Sequence, residues 1–414
     1  MTIKPCNRWS DVGARARDTL ANTARERKAT GKEVISLTAG DPVVWGFTYQ
    51  SLSKHLIDAA EEGLHMYPQS TPWEKELKAS IVKFEKRYRG VDYLPENVVL
   101  GPGVAGVLSV LHYAILDQGD EVVTWDPSHH LVGPTIYWPY LGAKAVPCRT
   151  LENEGWTPDL DEMRKRITSR TKAIFINSPN NPTGAVYEQR LLKQIVNIAG
   201  QHDLPIISDE IYGLITFDGI QAPSTAIISG EVPVIMLSGM SKMFMRTGWR
   251  VGYICIHDPK DSLKDVVKTI RKVGAMYGQG STCMPTPILS AAAKVYASAV
   301  EEGLEGTRDM IRELQLRKDY TMKRFRDIAS IDCFEPKGAL YAFPRVKGIG
   351  ETWKNCIDFL LDLLNQEGLI FDPGSAYGRL GESHFRTLIM PKIEILEKVY
   401  DKLEHFLKKK HATH

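Results

Sequence analysis

Three short apolar runs in this chain each end in a side chain able to do chemistry, and that pattern restricts the fold more than any other feature. Ala173 to Ile176 leads into Ser178-Pro179-Asn180-Asn181-Pro182-Thr183-Gly184. Ile206-Ile207-Ser208 ends at Asp209, with Tyr212 three residues on. Val232 to Leu237 leads into Ser238-Gly239-Met240-Ser241-Lys242, and Arg250 follows in Thr247-Gly248-Trp249-Arg250. Continuous apolar runs this short, closed by small or turn residues, read as buried strands. Open α/β sheets bind ligands outside the carboxyl ends of their strands. Asn181, Asp209 with Tyr212, and Lys242 are therefore expected to meet at one edge of a sheet.

The residue types suggest what they meet around. A lysine at a strand end among small residues can be partly desolvated, which favours the neutral amine needed to condense with an aldehyde. The fork of an arginine such as Arg250 suits a phosphate. A carboxylate can hold a pyridine nitrogen protonated, so that the ring accepts electrons. Together these point to pyridoxal phosphate, although a lysine and an arginine in a solvated basic loop would carry the same letters.

The order and spacing of N-P-T-G, D-x-x-Y and S-K-x₇-R resemble the class I/II aminotransferases, the aspartate aminotransferase-like group of fold-type-I pyridoxal-phosphate enzymes. The likeness runs from about Ile35 to Arg386. It implies an α/β fold: a three-layer transferase fold with a mostly parallel sheet in a large domain, plus a smaller α+β domain. The division expected is an arm and part of the small domain in residues 1–50, the large cofactor-binding domain in 51–300 and the small domain in 301–414. The resemblance also assigns roles. Lys242 carries the cofactor and moves the α-proton, Asp209 clamps the ring nitrogen, and Tyr212 and Asn181 bond the ring oxygen. Val104 and Ala105, Ser241 and Arg250 hold the phosphate. His129, rather than His130, stacks on the ring. Tyr67 reaches the phosphate from a partner subunit, implying a homodimer with shared sites. Arg386 grips the substrate carboxylate beside Gly40 and Asn181, and Tyr341 lines the pocket.

The activity implied is ping-pong transfer of an amino group, via pyridoxamine phosphate, between an L-amino acid and a 2-oxoacid such as 2-oxoglutarate. The Gly239-Met240-Ser241-Lys242 pattern looks nearest to the alanine and broad-specificity branch, which suggests a neutral amino acid. No second cation for a side-chain carboxylate is evident. A carbon–sulfur β-lyase or an aminocyclopropane carboxylate synthase-like lyase would share the same residues.

Gly101-Pro102-Gly103-Val104-Ala105-Gly106 also matches G-x-G-x-x-G after a strand, with Glu121 twenty residues on and Asp126 near the end of the next strand. A dinucleotide site therefore competes for the same stretch. Both readings place an anion at a helix N-terminus, where N–H groups and the helix dipole favour it.

Charge is balanced, 52 basic against 50 acidic residues, which argues against nucleic acid or an anionic membrane as partner. The polar Met1 to Asp11 stretch, broken by Pro5, reads as no signal peptide. The six cysteines are scattered without metal spacing, so no metal is expected and reduced thiols in the cytoplasm are. Beyond the strands, helices are expected over Asp11–Lys28, Ser53–Glu62, Glu74–Arg87, Val104–Leu116 and Ile288–Phe325, the last broken near Gly303–Gly306. Past it come a strand over Gly338–Phe343, a helix over Trp353–Gln366, a strand over His384–Met390 and a helix over Lys392–Lys408. Residues before about 50 are expected to return to this last part.

Overall fold

A computed structural model describes residues 15–129, 142–276 and 280–411; His130 and residues 11–14 of the first expected helix lie outside them. The first short strand, β1 (Ile35–Ser36), does not join the main sheet. Among the described residues that sheet has eight strands: β2 (Val98–Pro102), β3 (Glu121–Asp126), β4 (Lys144–Leu151), β5 (Thr157–Pro158), β6 (Thr171–Asn177), β7 (Ile206–Asp209), β8 (Val234–Gly239) and β9 (Val251–His257). Their order is β2-β9-β8-β7-β6-β3-β4-β5. The five central strands from β8 to β4 run parallel, while β9 is antiparallel to both its neighbours and β5 to β4.

The apolar runs read as strands because both sheet faces are covered, the usual condition of parallel sheets. Alternate residues point to opposite sides. Ala173, Phe175, Ile207, Ile235 and Leu237 pack with helices Gly103–Ile115 and Lys264–Met276. Ile174, Ile176, Ile206, Val234 and Met236 pack with helices Trp73–Arg89, Gln189–Gln201 and Thr286–Glu301. Each of these fully buried side chains larger than alanine contributes about 1.5–3 kcal/mol.

A separate core gathers Met310 to Leu407 and draws in Leu20, Ala24, Leu37 and Phe47 from the start of the chain. β1 pairs in parallel with Leu369–Ile370, which returns the N-terminal segment to the C-terminal part of the chain. A three-stranded antiparallel sheet there pairs Phe385–Leu388 with Tyr341–Ala342 on one side and Asp372–Pro373 on the other. No helix among the described residues is long and apolar enough to cross a membrane.

Three expected elements differ. The strand over Gly338–Phe343 shrinks to Tyr341–Ala342, because the N–H groups of Lys337 and Gly338 both donate to the Gly184 carbonyl and Ala339 takes a positive φ of 63°. The helix expected from Trp353 starts at Cys356, where the Asn355 side chain accepts from Ile357 and Asp358 N–H and caps it. The strand over His384–Met390 narrows to Phe385–Leu388. The break near Gly303 is present: one helix ends at Glu301, Gly303 has φ 98°, and the next begins at Glu305.

Candidate active site

A cavity of about 580 Å³ opens where β6, β7 and β8 end. Gly40, Val104, Ala105, His129, Asn181, Asp209, Tyr212, Ser241, Lys242, Arg250 and Arg386 all line it. Tyr67 does not; it is 78 % exposed on the turn before Pro68–Ser70. Cys283 is also exposed and outside the cavity.

Parallel pairing brings the strand ends together. Asn177 at the end of β6 sits opposite Asp209 at the end of β7, and Asp209 opposite Leu237 of β8. Asn177 orders the next turn by donating to the Asp209 carbonyl (3.0 Å) and accepting the Asn181 N–H (2.9 Å). The Asp209 carboxylate accepts the Ile211 N–H at 3.1 Å. Burial raises its pKa to about 7, the Ile211 bond and Lys242 pulling down and Glu210 pushing up. The Tyr212 hydroxyl bonds the Tyr341 hydroxyl at 2.9 Å, and burial first, then Tyr341, lifts its pKa well above normal, so Tyr212 keeps a proton to donate.

On one side the cavity meets the N-terminus of helix Gly103–Ile115, where Val104 and Ala105 face in. The approach is tight. A Cβ on Gly252 would lie 2.4 Å from the Val104 nitrogen, and one on Gly103 would lie 2.3 Å from an Arg250 guanidinium nitrogen. Gly103 also has φ 77°, so glycine is needed there for both reasons. Arg250 itself sits in the left-handed region (φ 55°) and donates to the Thr247 carbonyl at 2.9 Å.

The dinucleotide reading fails on its acids. Asp126 accepts the N–H groups of Arg379 and Leu380 at 3.0 and 3.1 Å, and so ties β3 to that loop. Glu121 lies at the opposite end of β3, bonded to Thr168 and Arg170.

The substrate end is built on the segment Thr38–Gly40. Lys242 Nζ donates to the Gly40 carbonyl and Arg386 Nη2 to the Thr38 carbonyl, each at 2.5 Å. Two residues of chain span at most about 7 Å, so amine and fork are both tied to one short stretch of backbone. Gly40 has room for no side chain, since a Cβ would fall 2.3 Å from the Tyr341 hydroxyl. Arg386 is buried over the Tyr341 ring (4.2 Å) and donates to Asn181 Oδ1 at 3.2 Å and Asp372 Oδ2 at 2.6 Å. Burial opposes its charge, but Tyr377 and Asp372 more than offset this and raise its pKa. Its Nε is buried without a hydrogen-bond partner among the described residues.

Two residues of this end escaped the sequence reading, and they revise it. Arg17 lines the cavity, so a second cation is present there. It pairs with Asp372 (3.0 Å) and donates to the Tyr377 hydroxyl (3.1 Å). Arg17 stands 355 residues from Asp372 in sequence, and no local motif marks either residue.

The donor set fits a phosphorylated pyridine aldehyde. Lys242 offers an amine, Asp209 a buried carboxyl that a protonated aromatic nitrogen would neutralise, and Tyr212 and Asn181 groups for a ring oxygen. The helix N-terminus, Ser241 and Arg250 form an anion cradle. The orphaned Arg386 Nε offers a further donor to a carboxylate.

A sequence profile of the family described as Aminotransferase class I and II matches residues 32–402. The chain is 31 % identical to an aspartate aminotransferase of Bacillus subtilis, over 94 % of this chain and 96 % of that protein. It is 29 % identical to the glutamate-pyruvate aminotransferase AlaA of Escherichia coli over 98 % of each. Among solved structures, an alanine aminotransferase from Pyrococcus furiosus superposes with a TM-score of 0.90 at 37 % identity, covering 98 % of this chain and 100 % of that one.

Proposed function

The chain belongs to the class I and II aminotransferases, pyridoxal-phosphate enzymes, and we propose that it moves an amino group between a neutral, alanine-like L-amino acid and a 2-oxoacid such as 2-oxoglutarate, in ping-pong fashion. The observation that carries this reading is the shared anchoring of Lys242 and Arg386 on Thr38–Gly40. An α-amino acid presents its carboxylate one bond from Cα. A fork that fixes the carboxylate therefore fixes Cα beside it, and the base is anchored to the same segment as the fork.

When bound, pyridoxal phosphate supplies an aldehyde that condenses with amines and a protonated ring that takes up the electrons of the broken Cα–H bond. The chain's own residues do the rest. Arg386 holds the substrate carboxylate, with Asn181 and Asp372 fixing the plane of the guanidinium. Lys242 Nζ removes the proton at Cα and returns it one position away. Asp209 carries the negative charge that keeps the ring nitrogen protonated. Tyr212, oriented by Tyr341, donates to the ring oxygen. Val104, Ala105, Ser241 and Arg250 hold the phosphate, and His129 lies against the ring. Exposed Tyr67, with Met66 beside it 48 % exposed, supports a homodimer in which Tyr67 completes the partner's site. The five described cysteines are free thiols, in keeping with the cytoplasm.

The relatives reported above are named aminotransferases, which favours transfer over the lyase outcome. The two separate in a half-reaction. Enzyme mixed with L-alanine and no acceptor is expected to give one equivalent of 2-oxoacid per site and then stop. Continuous release of ammonia would overturn the reading.

Arg17 supports a dicarboxylate acceptor. It sits at the rim with its side chain 31 % exposed, and can exchange Asp372 for a distal substrate carboxylate. Arg17→Ala is expected to raise KM for 2-oxoglutarate by about 10-fold, the scale of a lost hydrogen bond between charged groups. KM for alanine should move by less than about 3-fold on the same scale. Equal shifts for both substrates in steady-state assays would remove the assignment.

A further inference from the structure

The turn that presents Asp209 and Tyr212 rests on a buried charged cluster that the reaction scheme above does not use. Arg89, near the end of helix Trp73–Arg89, lies beneath it with its side chain only 3 % exposed. Arg89 Nη1 donates to the Glu210 carboxylate at 3.0 Å and Nη2 to the Glu210 main-chain carbonyl at 2.9 Å. The same carbonyl accepts the Gly213 N–H at 2.8 Å, which closes the turn. The far side of the Glu210 carboxylate accepts from the hydroxyls of Ser208 (2.9 Å) and Ser224 (3.1 Å) and from the Thr225 N–H (3.0 Å). Arg89 Nε lies 3.3 Å from Glu85, whose other oxygen accepts the Tyr253 hydroxyl at 2.6 Å. The guanidinium fits only because residue 213 is glycine, since a Cβ there would stand 2.0 Å from Arg89 Nη1.

Stability alone does not account for this arrangement. A buried ion pair is on balance no more stabilising than well-packed apolar side chains of the same volume. What it adds is direction, since a planar fork fixes two acceptors at once. Both acceptors here belong to Glu210, the residue between Asp209 and Ile211.

We propose that Arg89 is a positioning residue: gripping Glu210 by main chain and side chain together, it fixes the turn from which Asp209 and Tyr212 meet the cofactor ring. The proposal rests on the assignment of those two residues as cofactor contacts. Arg89 touches neither substrate nor cofactor.

The test compares full-length variants stripped of cofactor and titrated with pyridoxal phosphate. Arg89→Lys keeps the charge but not the fork, and Gly213→Ala displaces the guanidinium while keeping it in the chain. Lys318→Gln is the control. It removes a different buried cation, an ammonium 1 % exposed that holds Asp218, Asp319 and Glu335 and makes no bond to Glu210, and these carboxylates are about half exposed and tolerate the loss. Arg89→Lys and Gly213→Ala are expected to weaken cofactor binding by about 10-fold or more, on the scale of a lost charge-assisted hydrogen bond. Lys318→Gln should change it by less than about 2-fold, its partners being solvated. Lowered Tm with unchanged cofactor affinity in both cluster variants would overturn the proposal. If only one of the two folds, its affinity decides. Asp209→Asn separates the levels: normal affinity there defeats the assignment beneath, whereas weakened affinity there beside normal affinity in the cluster variants defeats Arg89 alone.

Discussion

Lys242→Ala is expected to lower kcat for transamination by at least about 10⁴-fold, the combined scale of losing a positioned base and a covalent anchor. The effect should fall on chemistry and leave the substrate's carboxylate grip intact. Arg386 is held by Thr38, Asn181 and Asp372, none of which depends on Lys242. Lys242 reaches the same segment by one bond to Gly40, and losing it frees a single carbonyl that water in the cavity can satisfy. Tm should therefore change little, and calorimetric binding of an unreactive carboxylate such as propionate should stay within about 3-fold, no partner of the fork having been removed. A variant that keeps more than a hundredth of the wild-type kcat would mean that another group moves the proton. No rearrangement of the proposed roles would then save Lys242.

The parts of this site that could be read from the chain are those whose position follows from a strand end. A parallel sheet covered on both faces turns its strands into unbroken apolar runs, so Asn181, Asp209 and Lys242 are marked by where those runs stop. The turn chemistry around them is local too, as in the Asn177 side chain that caps the turn to Asn181. What the sequence hid is what tertiary return creates. Arg17 and Asp372 meet across almost the whole chain, through the pairing of β1 with Leu369–Ile370. Tyr212 and Tyr341 share one hydrophobic core and meet there from positions 129 residues apart in sequence. The glycine motif at 101–106 misleads because an anion cradle at a helix N-terminus is common to dinucleotide and phosphate sites. The fates of the two acids separate them, Asp126 closed off by Arg379 and Leu380 and Glu121 bonded at the opposite end of its strand. The C-terminal strands were overdrawn for a different reason. Their apolar residues are buried by irregular backbone, as at Ala339, so composition signals burial there but not pairing.

Asp209→Asn is expected to lower kcat by about 10³-fold, as for a lost electrostatic partner in a water-poor site, and at the same time to stabilise the cofactor-free protein above neutral pH. The two effects have one cause. The Asp209 carboxyl is buried, and its folded pKa of about 7 stands above the ordinary value of 3.8. A carboxyl with a raised folded pKa binds its proton more tightly in the native state than in the unfolded one. Between those two values the native state carries the extra proton, so this group's contribution to stability falls as pH rises from about 4 to about 7. Above that window the buried negative charge is a full liability, and the isosteric amide removes it. Part of the carboxylate still faces the cavity, so the gain is on the order of 1–2 kcal/mol rather than the whole desolvation cost. Cofactor reverses the balance, because a protonated ring nitrogen against Asp209 converts the costly charge into half of an ion pair. The stabilisation that pyridoxal phosphate confers, read as the rise in Tm at pH 8, should accordingly be smaller in Asp209→Asn than in the wild type. Thermal melts at pH 5 and pH 8, with and without cofactor, give all four terms. An amide variant less stable than wild type at pH 8 in the cofactor-free form would show that the carboxylate is held by favourable contacts rather than waiting for a counter-charge, and the role assigned to Asp209 would fall with it.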